Sequence, residues 1–86
     1  MAEYSITFAR SARKQLEVLS STLVTRIFTQ IESLARSPRP SGCRKLKGSE
    51  NLWRIRIGDY RVIYSIDDKL HVIDVVAVRH RSQAYD

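Results

Sequence analysis

Leu52-Trp53-Arg54-Ile55-Arg56-Ile57-Gly58-Asp59-Tyr60-Arg61-Val62-Ile63-Tyr64 is the stretch that decides the fold. Two alternating runs flank Gly58-Asp59, a two-residue turn signal that predicts a β-hairpin. Counting outward from the turn pairs Ile57 with Tyr60, Arg56 with Arg61, Ile55 with Val62 and Trp53 with Tyr64. Side chains alternate along a strand, so Trp53, Ile55, Ile57, Tyr60, Val62 and Tyr64 share one face. Arg54, Arg56 and Arg61 share the other. Like charges directly opposite one another destabilise a hairpin, so Arg56 beside Arg61 is most simply explained if that face meets a polyanion.

Upstream, Tyr4-Ser5-Ile6-Thr7-Phe8 alternates and predicts a short strand with Tyr4, Ile6 and Phe8 inward. Ala12, Leu16 and Leu19 recur at helical spacing over residues 10–19. Ser20-Ser21-Thr22 interrupts that pattern and supplies hydroxyl caps for a second helix over residues 23–36. Its buried side carries Leu23, Ile27, Ile31 and Leu34, and Pro38 ends it, because the residue before a proline avoids the helical region. Residues 37–48 form a loop with both prolines and two of the three glycines.

The hairpin strands are expected at 52–57 and 60–66, followed by a turn at Asp67-Asp68-Lys69. Residues 70–78 are nearly all apolar and β-branched, which suggests a central strand covered on both faces. The order is β-α-α-β-β-β, one α+β domain over residues 1–86 with a helical hairpin packed on one face of a small, mostly antiparallel sheet.

The 86 residues suffice for a single modest core, and a hydrophobic fraction of 43% is that of a globular chain. No apolar run reaches the roughly 20 residues needed to cross a bilayer, so no membrane association is expected. The start lacks the charged, apolar and small-residue regions of a signal peptide, and the single cysteine, Cys43, fits a reducing compartment. A cytoplasmic protein is therefore expected.

The net charge is +6, and its distribution says more than its size. Arg36, Arg39, Arg44, Lys45, Lys47, Arg54, Arg56 and Arg61 face only Glu50 and Asp59 in the same stretch, so the excess sits on the loop and the hairpin. With helices on one face of the sheet, Arg54, Arg56 and Arg61 stand on the open side. The exit of the last strand then brings Arg79, Arg81 and Tyr85 to the same rim if that strand neighbours the hairpin. Arginine with an aromatic is the combination that grips phosphates and stacks an unpaired base. A solvated charged surface is the plain alternative.

Cys43, His71 and His80 lack paired zinc-ligand spacing, and Gly42, Gly48 and Gly58 build neither a P-loop nor a dinucleotide fingerprint. The acids are scattered, where a magnesium nuclease needs converging carboxylates. No metal or other cofactor is expected. Metal-free RNA cleavage is compatible with the chain, because RNA carries its own nucleophile, the 2′-hydroxyl. Arginines suit the neutralisation of a transition-state phosphate and bind its oxygens in pairs. They accept protons poorly, since their pKa exceeds about 12. A general base would come from His80, Tyr85, a lysine or a perturbed group.

These residues resemble the RelE/ParE superfamily of bacterial toxin–antitoxin toxins, most closely its RelE branch. The likeness covers nearly the whole chain: the Tyr-x-Ile-x-Phe opening, two helices closed by Ser37-Pro38, and Lys45-Leu46-Lys47-Gly48. It continues through the Gly58-Asp59-Tyr60-Arg61-Val62-Ile63-Tyr64 hairpin to Val78-Arg79-His80-Arg81-Ser82-Gln83-Ala84-Tyr85. The resemblance implies a ribosome-dependent endoribonuclease that cuts messenger RNA in the ribosomal A site. Cleavage by 2′-hydroxyl attack would leave a 2′,3′-cyclic phosphate and a 5′-hydroxyl.

By position, the hairpin residues that contact the scissile phosphate fall on Arg54, Arg56 and Arg61. The C-terminal arginine of the family falls on Arg79 when the terminal tyrosine is aligned without gaps, and on Arg81 under the His-Arg alignment. The base-stacking tyrosine falls on Tyr85. Arg44, Lys45 and Lys47 are expected to bind RNA or the ribosome. The best-studied pattern has lysines at the first two hairpin positions, one of them a proposed proton acceptor. Arginines stand at both here, which makes His80 a candidate base. The resemblance also implies a cognate antitoxin covering the site, with operator DNA bound only through the toxin–antitoxin complex. A ParE-like toxin that inhibits DNA gyrase without cutting RNA is the alternative within the superfamily.

Overall fold

The two-residue turn of the hairpin places Gly58 at φ +59°, while Asp59 keeps a negative φ. A positive φ at the first central residue alone is the type II′ arrangement, whose twist matches that of the flanking strands. The computed structural model, which describes residues 3–83, builds its sheet outward from this turn. In chain order the elements are β1 (Ser5–Phe8), α1 (Arg10–Glu17), α2 (Ser21–Ser33), β2 (Arg44–Lys45), β3 (Leu52–Ile57), β4 (Tyr60–Asp67) and β5 (Val72–His80). A 3₁₀ turn at Arg81–Gln83 follows. The sheet order is β1-β5-β4-β3-β2, with β1 parallel to β5 and every other pair antiparallel. No helix of the described residues is long and apolar enough to cross a membrane.

The hairpin register is the one expected, Ile57 to Tyr60 through Trp53 to Tyr64. Ile55, Ile57, Val62 and Tyr64 are buried under the helices together with Ala12, Leu16, Ile27, Ile31 and Leu34. Tyr4, Ile6 and Phe8 pack against the edge of that core, as their alternation implied. Ser20 caps α2 by accepting the Leu23 amide at 3.3 Å. Both helices end earlier than their apolar spacing suggested: α1 stops at Glu17 and α2 at Ser33, with Leu19 and Leu34 packing from the turns beyond.

Three further expectations change. The loop over residues 37–48 contains the short strand β2, which pairs Arg44 with Arg54 and Lys45 with Trp53. The last strand begins at Val72, not Leu70, because an Asp67 carboxylate oxygen accepts the Lys69 and Leu70 amides and His71 adopts φ +56°. Leu70 is consequently exposed. That strand is also interior without being covered on both faces, since Val72, Asp74 and Val76 are only half-buried.

The near-continuous apolar run of β5 has another cause, a β-bulge. Tyr64 pairs with Val75 but Ile63 pairs with Ala77, leaving Val76 as an extra residue. Such an insertion shifts the alternation by one residue, so everything beyond it changes face. Ile73 and Val75 point to the core before the bulge and Val78 after it, opposite Val62. Helix α1 ties down the backbone around the irregularity. The Val76 carbonyl accepts the Ser11 hydroxyl at 2.8 Å, and the Val78 amide donates to Gln15 Oε1 at 2.7 Å.

Candidate nucleic-acid interface

The shifted register sets three arginines side by side. Arg56 on β3 faces Arg61 on β4, and Arg61 faces Arg79 on β5. Adjacent strands lie about 4.8 Å apart, so the row sets the backbone positions of three arginines across roughly 10 Å of the sheet face turned away from the helices. A second row runs Arg44, Arg54, Ile63, Ala77 over β2 to β5. Two residues along β3 separate the rows, about 6.7 Å at the usual strand rise.

Arg54, expected on an open face, is 6% exposed between Arg44 and Ile63. Burial, then the Arg56 and Arg44 charges, pull its guanidinium below the usual arginine pKa. Loss of solvent, then Arg56 and Arg54, do the same to Arg61. Loss of solvent is the larger cause at both positions, and the neighbouring cations add to it, so like charges cluster on this face where an anion would relieve them.

Two clefts share Arg56. One is bordered by Arg44, Lys45, Lys47 and Arg54, the other by Gly58, Asp59, Arg61 and Arg81. Arg81 belongs to the rim, not the row. Its amide donates to the Asp59 carbonyl at 2.7 Å and its Nε lies 3.8 Å from an Asp59 carboxylate oxygen, which closes the 3₁₀ turn onto the hairpin tip. Lys45 shares the register face of Trp53, its Nζ 6.0 Å from the ring centre, and Lys47 is exposed beyond it. Tyr85 lies outside the described residues.

His80 does not join the arginines. It is the register partner of Tyr60 on the helix side, where the two rings meet edge to face at 5.2 Å. The Ser82 amide donates to His80 Nδ1 at 3.2 Å, with the Ser82 hydroxyl 2.9 Å away. An amide can only donate, so Nδ1 is the acceptor and a neutral ring carries its proton on Nε2. Cys43, His71 and His80 stay apart: Cys43 packs at the core edge, His71 stacks on Tyr4 and His80 meets Tyr60.

Two of the eight cations counted in sequence are engaged elsewhere. Arg36 pairs with Glu3 at 3.2 Å, and Arg39 takes both carboxylate oxygens of Asp68. Sequence reasoning missed Arg39, whose partner lies 29 residues away. It also missed the pairing of Arg44 with Arg54, because a two-residue strand has no periodicity to detect.

Residues 6–85 match the family described as ParE toxin of type II toxin–antitoxin system, parDE. The chain is 32% identical over 79 residues to the toxin RelE of Mycobacterium tuberculosis, covering 92% of this chain and 78% of that protein. It is 29% identical over 86 residues to the mRNA interferase toxin RelE of Escherichia coli, covering 95% of this chain and 90% of that one. Among solved structures, the archaeal RelE–RelB complex from Pyrococcus horikoshii superposes with a TM-score of 0.83 at 31% identity, over 95% of this chain and 99% of that chain. The intact Escherichia coli RelBE complex gives 0.80 at 26% identity, over 96% and 99%. With family, sequence relatives and fold agreeing over nearly its whole length, the chain belongs to the RelE/ParE superfamily of type II toxin–antitoxin toxins, in the RelE branch.

Proposed function

We propose that this toxin is a ribosome-dependent messenger RNA interferase, cutting in the A site without a metal. The observation that carries the reading is the row Arg56, Arg61, Arg79 on the open sheet face. In the proposed reaction the 2′-hydroxyl oxygen attacks the adjacent phosphorus while the bond from phosphorus to the 5′-oxygen breaks. The 2′-hydroxyl proton goes to a base, and the leaving 5′-oxygen takes up a proton. The products are a 2′,3′-cyclic phosphate and a 5′-hydroxyl.

The arginine row supplies alignment and charge neutralisation. Guanidinium groups bind phosphate oxygens bidentately, and fixed cations aimed at developing charge stabilise the transition state without reorganisation. Arg54 and Arg44 reinforce the potential from the neighbouring row, and Arg81 borders it at the hairpin tip. Tyr85 follows Arg81 by four residues and would stack a base. Proton transfer belongs to a group other than the arginines, and the position of His80 on the helix side argues against that residue.

RelE relatives solved in complex with RelB support a cognate antitoxin for this chain. In the proposed reading an acidic segment of that antitoxin would cover the basic face. Operator DNA would be bound through that complex. A gyrase-directed toxin that does not cut RNA is the second reading, favoured by the ParE description of the matching family. The test adds purified protein to ribosomes programmed with a defined messenger and maps the 5′ ends. A-site cuts bearing 5′-hydroxyls are expected; no cuts, alongside gyrase inhibition, would overturn the reading.

A further inference from the structure

Arg39 stands apart from the basic groove it helps to build. Its guanidinium meets the two Asp68 carboxylate oxygens at 3.0 and 3.4 Å and lies 4.9 Å over the centre of the Trp53 ring. The Tyr4 hydroxyl donates to the same carboxylate at 2.6 Å. One residue before Arg39, the Pro38 carbonyl accepts the buried Tyr64 hydroxyl at 2.8 Å. The chain then turns, with the Cys43 amide bonded to the Pro40 carbonyl at 3.0 Å, and enters β2 with Arg44 opposite Arg54.

We propose that Arg39, clamped between Asp68 and Trp53, is a positioning residue that fixes the path of residues 37–48 and so shapes the groove of Arg44, Lys47 and Arg54 for a single-stranded RNA backbone. This rests on the reading of that face as RNA-binding. The clamp is no store of stability: its side chains are 41% and 56% exposed, and exposed ion pairs add little. What it supplies is direction. A planar fork gripping a carboxylate, with its face on an indole, admits one orientation, which a lysine ammonium does not impose. Asp68 comes from the β4–β5 turn, Trp53 from β3 and Tyr4 from the start of the chain, so a loop residue is referenced to three elements of the sheet layer.

The clamp and plain electrostatics predict opposite signs. Asp68→Asn removes an acid from a cationic protein, and net charge alone then predicts tighter RNA binding. The clamp predicts weaker binding. The sole tryptophan, Trp53, reports the clamp directly through its fluorescence and its quenching by acrylamide. The experiment measures both signals on the full chain, with a labelled single-stranded RNA oligonucleotide at fixed salt, for Asp68→Asn, for the charge-preserving Arg39→Lys, and for Arg61→Ala.

Asp68→Asn and Arg39→Lys should both expose Trp53 and weaken RNA binding by roughly three- to tenfold, with unchanged circular dichroism. Arg61→Ala should weaken binding without altering the Trp53 signal. An unchanged Trp53 signal in both clamp variants would overturn the clamp. A changed signal with equal or tighter RNA binding would overturn its positioning role while leaving the functional reading of the face intact. Failure of the wild-type chain to bind RNA, with Trp53 still responding, would overturn the groove as a seat for a single-stranded RNA backbone and with it the purpose assigned to the loop, while cleavage of programmed ribosomes tests the functional reading separately.

Discussion

Arg61 and Arg79 are direct cross-strand partners, β4 against β5, on the sheet face opposite the helices. With Arg56 on the other side of Arg61, each strand of the three contributes one cation to a single row. Like-charge pairs at this spacing oppose folding, a cost that an anion bound across the row would offset.

Arg61→Ala should therefore separate activity from stability. Loss of one preorganised cation is expected to lower cleavage by about 10²- to 10³-fold. Removing its repulsion with Arg56 and Arg79, on the order of 0.2–1 kcal/mol, works in the direction of stability, so the variant should stay folded. Cleavage of programmed ribosomes and thermal unfolding of the same preparation check both halves.

An inorganic anion should stabilise the protein at this face. At about 100 times its dissociation constant a ligand adds about 2.7 kcal/mol, and in a domain of this size about 1 kcal/mol moves the melting temperature by roughly 4–8 °C. A sulfate or phosphate titration should raise the melting temperature of the wild type and have little effect on the Arg56→Ala, Arg61→Ala double variant. Equal stabilisation of both proteins would remove the row as the anion site.

His80→Ala should keep cleavage within a few-fold of wild type, because the ring faces Tyr60 across the sheet from Arg61. A hundredfold loss of cleavage with the fold retained would restore His80 as a proton carrier.

Tyr64→Phe removes the hydroxyl that anchors the Pro38 carbonyl. Burial pushes this phenol far above its usual pKa, as expected of a group held neutral in the core. Leaving the carbonyl without its donor should cost about 1–3 kcal/mol, measurable by urea unfolding with an unchanged m-value.

The Arg39–Asp68 clamp should open in acid. Hydrogen bonds from Arg39, then Tyr4, hold the Asp68 carboxyl below its ordinary 3.8. A carboxyl lowered on folding contributes stability above its unfolded pKa and loses it as pH falls through the folded value. The Trp53 signal should thus be flat at neutral pH and change only below pH 3.8. A transition well above that value would dissociate the tryptophan signal from Asp68.

The hairpin was legible in sequence down to individual pairs, because a two-residue turn and a period of two are local properties of the chain. The same holds for the face of α2 carrying Ile27, Ile31 and Leu34, and for the family motifs around Gly58 and Arg61. What sequence alone left undecided was which arginine of the C-terminal stretch stands in the row with Arg61. That choice depends on Val76. Continuing the pairing of Tyr64 with Val75 without interruption would set Arg79 opposite Tyr60, on the helix face. The bulge shifts the register by one residue, sending Arg79 to Arg61 and His80 to Tyr60. Its backbone is secured by Ser11 and Gln15, from a helix more than 60 residues earlier in the chain. Arg39 teaches the same lesson: its partners come from distant turns and strands, so only the packed chain reveals that it anchors the basic loop. Local pattern determined the strands and their faces, and contacts between distant elements decided which charges converge.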